Sequence, residues 1–223
     1  MPVTSQGPTA AERRHARTIL GRLEKRYPNI GTALDFVEPW HLLVATVLSA
    51  QTTDENVNRV TPVLFARWPT AGDLAAADPE EVEQVVYSAG YYRQKAQAVI
   101  ALSGDLMERF GGEVPADLDS LVTLHGVGRK TASVVLAEAF GVPAIAVDTH
   151  VKRLSRRLEL TTASDPTRIE HHLRALYPEH KWAGISMRFI QLGREVCDAR
   201  RPRCWECPLA DRCAYPDKVP PPA

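Results

Sequence analysis

Leu124-His125-Gly126-Val127-Gly128-Arg129-Lys130-Thr131-Ala132 is the stretch on which the reading of this 223-residue chain turns. The spacing predicts a short helix over Asp117 to Leu124, a Gly-x-Gly hairpin, and a second helix running to Phe140. Glycines permit φ > 0 and let another backbone approach closely. The second helix opens on unpaired amides and a positive dipole end, a place suited to a phosphate. A plain helix–helix corner would use the same two glycines. Lys130 adds chemistry to the corner, because just inside a helix N-terminus the dipole disfavours the protonated amine and a lysine there can act as a nucleophile.

On both sides of this stretch the pattern is helical. Residues 11–26 place Ile19, Leu20 and Leu23 on one face. Pro39 opens an apolar helix through Ser49, and Asp54 reads as the cap of a helix whose stripe is Val57, Val60 and Leu64. Asp78-Pro79-Glu80-Glu81 is a helix start that Gly90 terminates, with Arg93 to Met107 next. Thr149 to Leu158, a helix opened by Asp165-Pro166, and Trp182 to Leu192 complete the series. Ala144-Ile145-Ala146-Val147 is the best strand candidate and is too short to build a sheet. The expectation is an all-α fold.

Composition excludes several classes. With 44% hydrophobic and 24% charged residues the chain is an ordinary globular one, not disordered throughout, collagen-like or a disulfide miniprotein. No run approaches the roughly 18–20 apolar residues of a membrane span; Leu42 to Leu48 reads as core helix. The first residues carry no secretory apolar block, so an intracellular location is expected, cytoplasm or nucleoid in a bacterium. Met1 to Ala10, rich in Pro, Ser, Thr and Gly, is expected to be a flexible tail. Net charge is zero, yet residues 1–120 hold 11 basic and 16 acidic side chains and residues 121–223 hold 16 and 11. Such a dipolar chain has one half suited to a polyanion.

All four cysteines, Cys197, Cys204, Cys207 and Cys213, lie in the spacing C-x6-C-x2-C-x5-C. Intracellular thiols stay reduced, so four of them in a tight loop point to a metal rather than to disulfides. Zinc ribbons use two C-x2-C knuckles; one knuckle with unequal arms tilts the choice toward an iron–sulfur cluster, with zinc the other option. Four thiolate ligands leave no open position, so the site reads as structural. Arg194, Arg200, Arg201 and Arg203 surround it as a basic finger.

Taken together, L-H-G-V-G-R-K-T-A, then Ala146-Val147-Asp148-Thr149-His150-Val151, then the four-cysteine spacing, closely resemble the endonuclease III family of helix-hairpin-helix DNA glycosylase/AP lyases. The resemblance runs from about residue 12 to residue 217. It implies a two-domain fold, with residues 32–143 forming the helical domain that contains the hairpin. Residues 11–31 plus 144–223 would form the domain carrying a [4Fe–4S] cluster.

Further implications attach residue by residue. Lys130 matches the nucleophile and Asp148 its carboxylate partner, although Asp148 also reads as the cap of its own helix. Leu48-Ser49-Ala50-Gln51-Thr52-Thr53-Asp54 matches the segment lining the damage site, with Gln51 filling the gap left by an extruded nucleotide. Gly126 and Gly128 would meet the DNA backbone, His150 would touch it or pack beneath the site, and Arg203 would bind phosphate or remain solvated. Tyr91 stands where the family commonly has an aliphatic wedge, a departure that bears on opposite-base preference; an ordinary core aromatic is the alternative. The implied partner is double-stranded DNA containing oxidised bases or abasic sites, with no membrane, bound by a monomer. The implied reaction is removal of oxidised pyrimidines through a lysine Schiff base and β-elimination. Alternatives are a monofunctional adenine or mismatch glycosylase, a branch that usually lacks a lysine at the position of Lys130, and a non-catalytic iron–sulfur DNA-binding module. Adenine glycosylases carry a further C-terminal domain, and only ten residues follow Cys213 here.

Overall fold

A capping box starts the first helix: Thr9 Oγ1 accepts from the Glu12 amide while the Glu12 carboxylate accepts from the Thr9 amide. The computed structural model describes residues 7–221. Of the expected tail, residues 1–6 lie outside the described residues, whereas Thr9 is a cap and Ala10 is helical.

Eleven α-helices are present among the described residues: α1 (Ala10–Arg26), α2 (Pro39–Leu48), α3 (Asp54–Arg67), α4 (Ala71–Ala75), α5 (Pro79–Val86), α6 (Tyr92–Phe110), α7 (Leu118–Leu121), α8 (Arg129–Ala139), α9 (Thr149–Arg157), α10 (Pro166–Leu176) and α11 (Trp182–Glu195). No strand forms among them. Ala144–Val147 is irregular because the Ala146 amide donates to Ser186 Oγ (2.9 Å) instead of to a neighbouring strand, while Ile145, Ala146 and Val147 are buried. The cap of α3 is Thr53 rather than Asp54: Thr53 Oγ1 accepts from the Asn56 amide, and Asp54 is the first helical residue.

The chain divides into two compact units, Thr32–Val142 and the described residues of Met1–Gly31 with Pro143–Ala223. In the first unit α2 is buried at every residue from Leu42 to Leu48 and serves as the central helix, with α3, α6 and α8 against it. The hairpin is pinned to α6, since Asp105 accepts from the His125 amide (2.6 Å) and Arg109 donates to the Thr123 hydroxyl (2.6 Å). In the second unit α1 packs against α10 and α11, and α9 packs against α11. Ile19, Leu23, Val151, Leu154, Ile169 and Phe189 form the centre of its core.

Candidate active site

The hairpin turns at Gly126, whose φ of +72° is the left-handed conformation glycine permits without strain. Gly128 is different: it is extended (φ −85°, ψ 170°), and a Cβ built on it would meet nothing within 4 Å. Nothing inside the chain demands glycine there, so its bareness leaves the surface open to close approach from outside. Gly128 is the N-cap of α8 and no side chain caps that helix. Lys130 is the second residue of α8 and is exposed. An amine therefore stands beside first-turn amides that can hold a phosphate.

Gln51 and Tyr91 belong to the same unit as Lys130. Both adopt left-handed backbone, with φ of 55° and 48°, and both are exposed. Such conformations cost on the order of 1–3 kcal/mol at a non-glycine residue and persist where surrounding structure enforces them. Tyr91 is 61% exposed and so is not a core aromatic. It stands at the start of α6, and the rings of Tyr87, which is also exposed, and Tyr92 lie with their centroids 4.9 Å apart.

Asp148, His150, Arg203 and the cysteines lie in the other unit. Asp148 is the N-cap of α9, its Oδ1 accepting from the Val151 amide at 2.8 Å. His150 is half-buried against Gly193, and its Nδ1 sits 3.0 Å from Arg153 Nη2. Burial pulls the imidazole below its ordinary pKa; Asp148 pulls it up, and Arg153 and Arg194 push it down. These contacts hold the ring between Arg153 and Gly193 of its own unit. Arg203 is exposed, but its guanidinium donates to the Glu195 carbonyl and pairs with Glu206 (3.4 Å). By contrast Arg200 and Arg201 use only their backbone amides, which donate to Asp198 Oδ1 at 2.8 and 2.9 Å, and their side chains are exposed.

Cys197, Cys204, Cys207 and Cys213 are free thiols lining one cavity with Arg157 and Tyr215. Burial pushes the Cys207 thiol up to about 11 and raises Cys213 as well. These two thiols ionise together only against a bound cation. All four thiols line one shared cavity, an arrangement that suits a polynuclear cluster. The surroundings also fit: Arg157 donates to Cys197 Sγ (3.1 Å) and the Tyr215 amide to Cys213 Sγ (3.5 Å). Hydrogen bonds of this kind stabilise a cluster's sulfurs.

Residues 44–179 match the family model of the HhH-GPD superfamily of base excision DNA repair proteins, and residues 197–213 match the iron–sulfur binding domain of endonuclease III. Endonuclease III of Synechocystis is 51% identical over 92% of this chain and 94% of its own length. The chain belongs to the endonuclease III family. A solved non-covalent endonuclease III–DNA complex is 43% identical and covers 91% of this chain and 95% of its own, with a TM-score of 0.86. A trapped endonuclease III–DNA covalent intermediate, an estranged-adenine complex, matches over the same shares at 43% identity with a TM-score of 0.87. As in the endonuclease III family, the four cysteines hold a [4Fe–4S] cluster.

Sequence reasoning missed several residues that shape the site. Arg153 and Arg157 tie α9 to the cysteine loop through the carbonyls of Cys197, Asp198 and Ala199. Their signal was the basic run Lys152 to Arg157, which reads as a solvated face. Asn56 and Lys95 escaped notice altogether.

Proposed function

We propose that this chain, a base excision DNA glycosylase and AP lyase, removes oxidised pyrimidines from duplex DNA and nicks the strand with Lys130 as its covalent nucleophile. One observation supports this reading above the rest. Lys130 stands on an uncapped helix start, in the same unit as two exposed side chains, Gln51 and Tyr91, held in strained backbone. A solved relative forms a covalent intermediate with DNA, and such an intermediate requires a nucleophile. An exposed lysine beside phosphate-binding amides meets that need.

A base inside a duplex is out of reach, so the nucleotide is extruded, at least cost where stacking is already damaged. Tyr91 and Gln51 fill the space it leaves. Amides of α8, with Gly126 and Gly128 as the bare turn, hold the flanking phosphate. The neutral Lys130 amine attacks C1′ of the sugar, and the glycosidic bond breaks with its electron pair leaving on the base. Asp148 stabilises the cationic sugar and accepts a proton from the nitrogen. The proton held by Asp148 passes to O4′ as the C1′–O4′ bond breaks, which opens the sugar to the Schiff base; this makes the C2′ proton acidic, and its removal expels the 3′ phosphate and nicks the strand. His150 supports Asp148 from below, and Arg200 and Arg201, with Arg203 contributing less, meet phosphates as a monomer engages one lesion. When bound, the cluster supplies a rigid centre for the loop of Cys197 to Cys213.

A duplex carrying one oxidised pyrimidine tests the reading. Base release and strand nicks should accumulate at matching rates. Base release that leaves intact abasic strands until alkali is added would instead indicate a monofunctional glycosylase.

A further inference from the structure

The Gln51 and Tyr91 loops share one tie. The Asn56 side-chain nitrogen donates to the Ser88 carbonyl at 2.7 Å and to Thr52 Oγ1 at 3.1 Å. Thr52 directly follows Gln51, and Ser88 lies three residues before Tyr91. A carbonyl can only accept, so Ser88 fixes which way the amide points; Arg59 donating to Asn56 Oδ1 at 3.2 Å agrees with that orientation. An amide nitrogen carries two hydrogens, and here each is given to a different loop. Asn56 is itself held in place, because its backbone amide donates to the Thr53 cap at the start of α3.

Lys95 provides a second anchor from below. It is only 5% exposed, and its amine donates to the Ala89 carbonyl at 2.6 Å. Its backbone amide donates to the Tyr91 carbonyl at 3.0 Å. The left-handed conformation of Tyr91 is thus gripped from both sides, and that of Gln51 is followed by a residue that Asn56 holds, as strained backbone requires.

The geometry points to Asn56 as a positioning residue that yokes the Gln51 and Tyr91 loops, so that the two side chains enter the duplex as one unit at a fixed separation. This rests on the reading above, in which both side chains enter DNA. A fixed separation confines the base left unpaired on the opposite strand, which makes Asn56 a determinant of opposite-base tolerance. Asn56→Asp keeps the shape but turns an acceptor toward the Ser88 carbonyl and so breaks that tie, while the Thr52 hydroxyl can turn to donate to the carboxylate. Thr52→Val removes a single acceptor without changing side-chain shape.

The test uses the full cluster-loaded chain with each substitution, alone and combined with Tyr91→Ala. Three quantities are read: single-turnover excision, melting temperature, and fluorescence of 2-aminopurine placed opposite a reduced abasic analogue. Asn56→Asp should lower the saturating excision rate about tenfold, the scale of a small misplacement. Half-saturating enzyme concentration and melting temperature should stay close to wild type. Thr52→Val should act in the same direction with a smaller loss, and it carries the test if Asn56→Asp does not fold. Both should reduce the 2-aminopurine signal. In the Tyr91→Ala background the further loss should shrink to about twofold, because coupled residues are not additive. Equal losses in both backgrounds, or a slower reaction with unchanged fluorescence, would overturn the yoke. A wild-type protein inert on every lesion duplex would overturn the proposed function instead, so the two failures are distinguishable.

Discussion

The two units of this chain differ in charge far more than the two halves of its sequence do. Thr32–Val142 carries 7 Lys and Arg against 15 Asp and Glu, while the remainder carries 20 against 12. The acidic unit nevertheless holds Lys130, Gln51, Tyr91 and the hairpin. It has no field of positive charge with which to attract DNA, and in the proposed reading it meets the polyanion through bare glycines, backbone amides and inserted side chains. The basic unit holds the cluster and, in the same reading, supplies the long-range attraction. The contrast teaches that attraction and damage probing can be assigned to separate parts of one chain, and that a net charge of zero conceals both.

The largest break in this comparison should come from the cluster. Cys204→Ala should yield protein without bound iron, because three thiolates no longer close the ligand set. Affinity for damaged and undamaged duplex should fall together, by about tenfold or 1.4 kcal/mol, as the basic loop loses its order. Iron analysis and duplex titration check this; loss of affinity for damaged duplex alone would break the division of labour.

Next in size is Gly193→Ala. A Cβ there would sit 2.5 Å from His150 Nδ1, so α11 must shift away from α9. Overpacking of this kind costs about 1–3 kcal/mol. Thermal unfolding should show the loss, and His150→Ala should recover much of it by removing the colliding ring.

How much of this was legible in the sequence depends on the range of the interaction that decides each feature. Asp78-Pro79, Asp165-Pro166 and Gly126 are settled within a few residues, and the structure places them as caps and as the left-handed turn. Thr53 and Asp54 are both cap-forming types, and the structure assigns the role to Thr53 although aspartate is the stronger cap. Helix α4 was missed although Thr70 and Asp73 form a capping box, because five residues leave too little periodicity to detect. Ala144–Val147 has strand composition but no strand to pair with, and Ser186, forty residues away, takes its amide. Asn56 was invisible for the same reason, since its partner Ser88 is thirty-two residues distant. In the basic unit, sequence alone could not separate Arg203, engaged by Glu195 and Glu206, from its exposed neighbours.

That last distinction sharpens the comparison through salt. Affinity should fall with salt at a slope near −0.9 per phosphate neutralised. Arg200→Ala and Arg201→Ala should each make the slope shallower by about one unit, with little change in saturating single-turnover excision. Arg203→Ala should change it less, because its guanidinium already serves Glu195 and Glu206. A larger change for Arg203 than for its neighbours would reverse this ranking.

The smallest effect concerns pH. His150 is held below its ordinary value, chiefly by burial, so the neutral ring is the native form. Its contribution to stability is complete above about pH 6.5, the unfolded value. As pH falls further the unfolded chain takes up this proton first, and the contribution is lost down to the depressed native value. Melting temperature should decline gently over that interval, and His150→Gln should flatten the decline.

The central claim is that Lys130 of the acidic unit forms the covalent bond to DNA. Borohydride reduction during reaction with a lesion duplex tests it most directly, comparing wild type with Lys130→Gln. Glutamine is accepted in the first turn of α8, so the variant should melt like wild type and still bind duplex. The account predicts a trapped protein–DNA band for wild type, mapping to the peptide that contains Lys130, and none for the variant. A trapped band of undiminished intensity in Lys130→Gln would contradict it.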